Sequence, residues 1–285
     1  PVNGFTHTVT ASAFACYPRL MKHSPFTGAI YSVLASVAKL VSAGVKRDEI
    51  RLSLQEFFKR LGNVRSRWGE PLGALLGALE AQLGLKTAAI GGKDSMSGTF
   101  ENIDVPPTLI SFAMGITDDR TIVSNVFDHD GKLWLFEIPR DEFGYPDFEK
   151  TCKIFDEIHE LINDKKILRT AVVEEGGYAT AIAKSVMGSN YGAVITPSDD
   201  MFCPLYGNIV ALSPLDLSKY AKCVGEVNGH PRVLIGNCGT ATDDLIAAYT
   251  SRLEGVYPTI AKADGEAQAV SYASGIAYKA KTTIA

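Results

Sequence analysis

The stretch Thr87–Gly98, TAAIGGKDSMSG, carries the strongest structural signal in the chain. Its first four residues are short and apolar, which is typical of a buried strand, and they run directly into Gly91 and Gly92. Two glycines after a strand allow the backbone to approach a ligand closely and to turn its N–H groups toward an anion. The stretch therefore predicts a strand that ends in an anion-binding loop.

The side chains after the glycines fit a phosphate site. Lys93 supplies a point charge, Asp94 an oxygen ligand for Mg²⁺, and two serines, Ser95 and Ser97, supply hydroxyl groups. The alternative is a tight turn with solvated charges, because short glycine motifs occur often by chance. The stretch is not a Walker A loop, since Thr87 stands where that motif has its first glycine and Asp94 follows the lysine.

Two helices are predicted before this loop. Ser24 followed by Pro25 is a helix start, and Gly44 ends a stripe of apolar residues spaced by three and four. These are Ile30, Val33, Leu34, Val37, Leu40 and Val41. A second helix is predicted from Pro71 to Gly84, with five leucines on one side: Leu72, Leu75, Leu76, Leu79 and Leu83.

Strands and helices alternate after the loop, although not in the strict order of a doubly wound parallel sheet. Thr108–Met114 reads as a strand, and the polar stretch 117–131 is the best candidate boundary. Further strands are predicted at 133–136, 168–173, 193–195, 207–212 and 232–235, with helices at 148–161, 177–187 and 242–253. The pattern predicts an α+β fold with an N-terminal sheet domain over 1–120, a layered C-terminal α/β domain over 121–256 and a tail or linker over 257–285.

Composition excludes several classes of partner. With a net charge of −4 and no basic block, nothing indicates a nucleic acid or an anionic membrane surface. Lys, Ser or Gly interrupts the apolar runs before the roughly 20 residues that a membrane span needs. Five widely spaced cysteines without a C-x-x-C pair predict reduced thiols in a cytoplasmic protein. The chain starts at Pro1 rather than Met, so we expect a processed product or a piece of a longer polypeptide.

Other clusters of polar residues are weaker candidates for a functional site. The run Glu174-Glu175-Gly176-Gly177 follows a predicted strand and offers carboxylates for a metal, although a capped helix start with favourably placed charges is the preferred explanation. The five histidines form no recognisable cluster, and no nucleophile elbow, H-E-x-x-H or dinucleotide motif is present. From the residues alone, the chain is an α+β protein that binds an anion or a nucleotide.

The stretch Ile90–Phe100, together with Val105–Leu109, resembles the second synthetase half of phosphoribosylformylglycinamidine synthase in its large, fused form. Further matches occur in the same order at Ser24–Ala29, Arg51–Phe58, Leu75–Ala78 and Glu175–Gly177. The resemblance covers nearly the whole chain. It implies one half of the aminoimidazole ribonucleotide synthetase-like fold, built from two α+β domains.

This resemblance also implies an activity. Members of the family are ATP-dependent C–N ligases of purine biosynthesis that use Mg²⁺. They convert formylglycinamide ribonucleotide, ATP and glutamine to the amidine, ADP, phosphate and glutamate. Their active site lies between two synthetase halves, and a glutaminase domain follows. The partners implied here are a first synthetase half and that glutaminase domain of the same polypeptide. Alone, the chain would be inactive and would form homodimers through the sheet face that normally meets the first half.

The same resemblance assigns the site residues. Lys93, Asp94 and Ser95 are the expected catalytic residues, while ATP or substrate would be bound by Gln55, Gly91, Gly92 and Ser97. The family's second nucleotide site holds Mg²⁺ through carboxylates and an Asn, but here the matching positions carry His7, Ala35, Lys39 and Val172. None of these supplies a carboxylate, so no metal is expected in this half.

Two other interpretations remain open. In one, the chain is a degenerate half that serves as a scaffold and contributes no catalytic group. In the other, it is a separate phosphate-binding enzyme related to selenophosphate or thiamine-phosphate kinases, which share the fold. That second alternative requires a cluster of metal-binding Asp residues, which the sequence does not display.

Overall fold

The computed structural model describes residues 6–260, and the secondary structure follows the chain in this order. The elements up to the long polar stretch are β1 (Thr8–Ala15), α1 (Pro18–His23), α2 (Pro25–Ser42), β2 (Arg51–Phe57), α3 (Arg65–Leu85), β3 (Ala89–Lys93), β4 (Thr99–Phe100), β5 (Ile103–Asp104) and β6 (Thr108–Asp118). Those after it are β7 (Gly131–Phe136), α4 (Phe148–Asn163), β8 (Arg169–Val172), α5 (Gly177–Val186), β9 (Gly192–Ile195), β10 (Ile209–Ser213), β11 (Lys222–Asn228), β12 (Arg232–Ile235), β13 (Cys238–Ala241) and α6 (Thr242–Glu254).

The strands form two main sheets. The first sheet has the order β1-β6-β2-β3, and the second has the order β13-β12-β9-β11-β7-β10-β8. In the first sheet only the β2–β3 pair is parallel, and its crossover is α3, as a parallel connection requires. The α+β prediction is therefore confirmed at that level.

Helix α2 is the central element of the core. The side chain of Ser24 accepts a hydrogen bond from the Thr27 N–H, and Pro25 occupies the first turn, as predicted. The helix packs on α3 and on the first sheet, so that 78% of Pro25–Ser42 is buried. By length and apolar composition this helix would also qualify as a membrane span, but its apolar surface is covered by the fold.

Helix α3 differs from its prediction in where it starts. It starts at Arg65, so Pro71 lies inside the helix rather than at its start. Its buried side includes the small residues Ala74, Gly77, Ala78 and Ala81, which allow a close approach to α2. The five leucines instead lie on the outer side and are 48–67% exposed.

The described chain divides after Ile246 into a large unit and a smaller one that begins at Ala247. The large unit contains both main sheets, the first built from strands before Asp119 and the second from strands after Asp130. The domain boundaries at 120 and 256 remain predictions. Most of the predicted tail over 257–285 lies outside the described residues.

Candidate functional site

Strand β3 extends further than the sequence predicts and includes the glycines. It pairs with β2 in parallel, with Leu54 opposite Gly92 and Gln55 opposite Lys93. A Cβ at Gly92 would lie 2.1 Å from the Leu54 carbonyl oxygen, so this position requires glycine for strand pairing. Because β3 is the edge strand of its sheet, its other row of backbone N–H groups has no strand partner within residues 6–260.

Side chains alternate across this strand pair and create two different surfaces. On the outer face, the Gln55 Nε2 donates a hydrogen bond to the Lys93 carbonyl at 3.2 Å, and the Lys93 Nζ lies 5.6 Å from the centre of the Phe57 ring. On the inner face, Glu56 faces α3 together with Leu52 and Leu54. The predicted residues Gln55 and Lys93 are therefore brought together on the outer face.

The serines of the motif lie in a loop that is tied to the end of β2. The Ser95 N–H donates to the Glu56 carbonyl at 3.0 Å, and the Ser95 carbonyl accepts from the Phe58 N–H at 2.8 Å. The hydroxyl oxygens of Ser95 and Ser97 are 3.1 Å apart. Gly91, Gly92, Lys93, Asp94 and Ser97 are all exposed. The loop thus has a fixed backbone and presents its polar groups at the protein surface.

The exposed sheet face beside this loop carries a group of apolar side chains among polar ones such as Thr10 and Ser12. Four side chains on β1 and β6 point outward and are 40–59% exposed: Phe14, Phe112, Met114 and Ile116. Exposed apolar side chains are costly in water, so this face is a candidate for covering by a partner. It adjoins the strand that carries Gln55, because β6 pairs with β2 along its length.

Glu56 is a residue that the sequence analysis did not single out. Its side chain is 9% exposed, and its Oε1 has no hydrogen-bond partner among the described residues. Burial raises the pKa of the Glu56 carboxyl, and the nearby Asp94 charge raises it further. The signal was present in the sequence, because strict alternation along β2 places a carboxyl on the same side as Leu52 and Leu54.

A cavity of about 480 Å³ lies between α2, β8 and α5. Two of the four positions predicted to lack metal ligands, Lys39 and Val172, line it. Ala35 is fully buried within α2. His7 lies elsewhere, seven residues before Phe14 on β1, which corresponds to roughly 20 Å along a strand.

Lys39 lines this cavity, and its ammonium group is already paired. Its Nζ lies 2.8 Å from the Glu174 Oε1 and donates to the Phe14 carbonyl at 2.9 Å. The Tyr17 hydroxyl donates to the same Glu174 oxygen at 2.8 Å, and burial with this carboxylate raises the pKa of Tyr17. Glu174 is thus an ion-pair partner, while α5 begins at Gly177 and its N-cap residue, Gly176, provides no capping side chain.

These residues do not fit a magnesium ion. Mg²⁺ needs oxygen ligands in near-octahedral geometry, whereas the cavity presents a lysine ammonium beside its one carboxylate. We therefore predict that calorimetry with ADP will give the same heats in MgCl₂ and in EDTA at equal ionic strength. Metal-dependent binding of ADP, with the nucleotide located near Ala35 and Lys39, would contradict this prediction.

One group of side chains elsewhere has metal-ligand spacing. His7, Asp118 and Asp119 place one ligand atom each within 4.8 Å of one another at the end of β6. The His7 Nδ1 lies 2.9 Å from an Asp119 oxygen, and the Arg120 guanidinium holds the pKa of Asp118 well below its usual range. Because Asp118 is already paired with Arg120, this exposed group is explained by its internal contacts.

Comparisons with known proteins agree with the fold. No protein-family model matches the chain. The phosphoribosylformylglycinamidine synthase subunit PurL of Methanocaldococcus jannaschii is 24% identical over 204 residues, which is 62% of this chain and 27% of that protein. The chain thus spans about a quarter of the length of this curated relative.

Solved structures give a broader match. Thermotoga maritima PurL complexed with FGAR superposes with a TM-score of 0.66 at 14% identity, over 84% of this chain and 46% of that one. The same protein complexed with AMPPCP gives a TM-score of 0.64 at 15% identity, over 82% and 44%. Thiamine monophosphate kinase from Aquifex aeolicus superposes with a TM-score of 0.55 at 11% identity, over 82% of this chain and 89% of that one. The resemblance to a PurL-type synthetase half is therefore confirmed at the level of the fold.

Proposed function

We propose that the chain is the second synthetase half of a phosphoribosylformylglycinamidine synthase. The complete enzyme would convert formylglycinamide ribonucleotide, ATP and glutamine to the amidine, ADP, phosphate and glutamate. The observation that carries the proposal is the position of the GGKDSMS loop, which lies at the edge of an exposed sheet face with Gln55 and Lys93 in contact. The fold likeness to PurL supports it, and a site in the cytoplasm is part of the proposal.

The roles of the residues follow from their chemistry. The Lys93 ammonium would stabilise negative charge on a transferring phosphoryl group, and the exposed edge of β3 would offer backbone N–H groups. Ser95 and Ser97 would donate hydroxyl hydrogen bonds to the ribonucleotide or to ATP, and Gln55 would contact the nucleotide. Asp94 is the one carboxylate of the motif and would orient a donor. Mg²⁺ would be held mainly by the first synthetase half.

The exposed apolar side chains of the first sheet indicate where a partner could dock. A site that presents its catalytic groups at an open surface excludes water poorly, and water exclusion strengthens electrostatic stabilisation. A first synthetase half docked on Phe14, Phe112, Met114 and Ile116 would cover this face and enclose the adjacent loop. The scaffold alternative assigns the same docking role to the face but no chemistry to the loop.

A reconstitution assay tests the proposed reaction. The complete polypeptide, incubated with formylglycinamide ribonucleotide, ATP and glutamine, is expected to form the amidine and ADP in equal amounts, measured by mass spectrometry and chromatography. Omission of any one substrate should abolish amidine formation, and the chain 1–285 alone should be inactive. ADP formation that does not depend on the ribonucleotide would contradict the proposal.

Self-association tests the docking face separately. We predict that the isolated chain forms a dimer at micromolar concentration, measured by light scattering, and that Phe112→Asp shifts it to a monomer. A charge at this 40%-exposed position would be buried without a partner in the dimer. Phe143→Asp, at a 77%-exposed phenylalanine outside the sheets, is the matched control and should remain dimeric. A monomeric parent chain would count against this interface.

A further inference from the structure

The ammonium group of Lys93 lies beside an aromatic ring. Its Nζ is 5.6 Å from the centre of the Phe57 ring, within the roughly 6 Å over which an aromatic face attracts a cation. The lysine that follows β2, Lys59, forms an ion pair with Glu70, whereas no ion pair within residues 6–260 includes Lys93. The Phe57 ring is therefore the contact that restrains the end of the Lys93 side chain.

The backbone of Phe57 is fixed by its neighbours. Phe57 pairs with Thr108 of β6, and the residues before and after it, Glu56 and Phe58, are both hydrogen-bonded to the backbone of Ser95. A phenylalanine side chain rotates about two bonds, whereas the lysine stem is long and flexible. The ring is thus the rigid member of the pair, and it limits the positions that the ammonium group takes.

Phe57 lies outside the buried core. Alternation at the end of β2 places Phe58 in the core, where it is fully buried, and leaves Phe57 on the outer face with 37% of its surface exposed. The same face carries Gln55, whose Nε2 donates a hydrogen bond to the Lys93 carbonyl. The two side chains of β2 therefore hold different parts of Lys93, its backbone and its ammonium group.

We propose that Phe57 is a positioning residue, which restricts the Lys93 ammonium group to positions from which it contacts the transferring phosphoryl group. This inference rests on the proposed function, because it takes Lys93 to act on phosphate. An exposed lysine otherwise samples many rotamers, and only a fraction of them place its charge at the reacting group. Loss of the restraint removes stabilisation of the transition state, so it should lower kcat rather than raise KM.

Nuclear magnetic resonance of the chain 1–285 tests the contact without any assay of activity. We expect an NOE between the ε-methylene protons of Lys93 and the ring protons of Phe57, and an upfield ring-current shift of those methylene protons. Lys93→Arg assigns the resonance, and Phe57→Leu should return its shift to that of an exposed lysine. A parent chain that shows neither the NOE nor the upfield shift would overturn the proposal, even if a variant fails to fold.

Turnover of the complete polypeptide tests the consequence of the contact. Phe57→Leu should reduce kcat roughly twofold to fivefold, as expected for an exposed cation–π contact, and should leave the KM for ATP unchanged. Phe57→Trp retains an aromatic face and should keep the parent kcat. Tyr220→Leu is the matched control, since the Tyr220 ring is also 37% exposed and lies 5.0 Å from the Lys219 Nζ, between β10 and β11. This control should leave kcat unchanged.

A double-mutant cycle separates positioning from general damage to the structure. In the Lys93→Ala background there is no ammonium group to restrain, so Phe57→Leu should cause no further loss of kcat. Equal losses in both backgrounds, or an unchanged kcat of Phe57→Leu in an active parent enzyme, would overturn this inference alone. A parent enzyme that forms no amidine would instead contradict the proposed function on which it rests.

Discussion

Replacement of Lys93 by alanine in the complete polypeptide is expected to reduce turnover by roughly 10²–10³-fold. The ammonium group lies at an exposed sheet face, close to Gln55, and supplies positive charge for a transferring phosphoryl group under the proposed function. Loss of that charge removes stabilisation of the transition state, so kcat should fall more than KM rises. The measurement is the steady-state rate of amidine formation at saturating ATP and glutamine.

The matched control is Lys222→Ala. Lys222 is also an exposed lysine at a strand end, but it belongs to β11 in the second sheet. Its removal changes the net charge by the same amount and should leave turnover within twofold of the parent enzyme. Near-normal turnover of the Lys93→Ala enzyme would favour the scaffold interpretation over the catalytic one.

The largest expected effect on stability comes from Gly77→Ala. Helix α3 crosses α2 so closely at Gly77 that a Cβ there would lie 2.1 Å from the Phe26 carbonyl oxygen. The obstacle is backbone, which cannot rotate away, so the two helices must separate. We expect a loss of about 2 kcal/mol in the free energy of unfolding. For a unit of this size that corresponds to a fall of roughly 4–8 °C in Tm, measured by calorimetry.

Gly69→Ala on the same helix is the control. Apart from its chain neighbours and the adjacent backbone of its own helix, no described atom lies within 4 Å of the position that its Cβ would take, and the residue is exposed. The substitution therefore gains helix propensity without a clash and should stabilise the protein by about 0.5–1 kcal/mol. The same substitution at two positions of one helix is thus expected to change the free energy of unfolding in opposite directions. If the Gly77→Ala variant were as stable as the parent protein, α2 and α3 could not pack as closely as described.

Local signals predicted α2 and α4 well, because both begin at a side chain that caps the helix. Ser24 and Asp147 each accept a backbone N–H three residues further on, and both residues can be recognised in the sequence. The start of α3 carries no such signal. Its N-cap is Val64, which has no capping side chain. Pro71 is typical of a helix start, so the start was predicted at Pro71, although this residue lies in the helix interior.

Strand β1 was not predicted from the sequence. Its residues, TVTASAFA, are small and only weakly alternating. The strand is formed because all eight of them pair with β6, from Thr8 opposite Asp118 to Ala15 opposite Ser111. That partner strand lies about 100 residues further along the chain, so β1 is determined by tertiary contacts rather than by its local sequence.

The sequence singles out the loop of the candidate site, whose role stays a prediction, but it does not specify the surroundings of that loop. The glycine motif identifies Gly91 to Ser97 because the residue types and their order are specific. The Lys39–Glu174 ion pair joins α2 to the end of β8, and the exposure of Phe112 depends on which face of the sheet the helices cover. Both are consequences of packing between distant segments, which single-sequence patterns do not specify.

Hydrogen–deuterium exchange of the complete polypeptide tests the central claim most directly. Addition of AMPPCP and formylglycinamide ribonucleotide is predicted to slow exchange at least tenfold in the peptide spanning residues 90–100, while the peptide spanning 222–228 on β11 is unaffected. Protection of the loop would mean that ligand or a docked half covers it when substrates bind. Unchanged exchange in the loop, with protection at other sites in the same experiment, would contradict a role of the GGKDSMS loop in the active site.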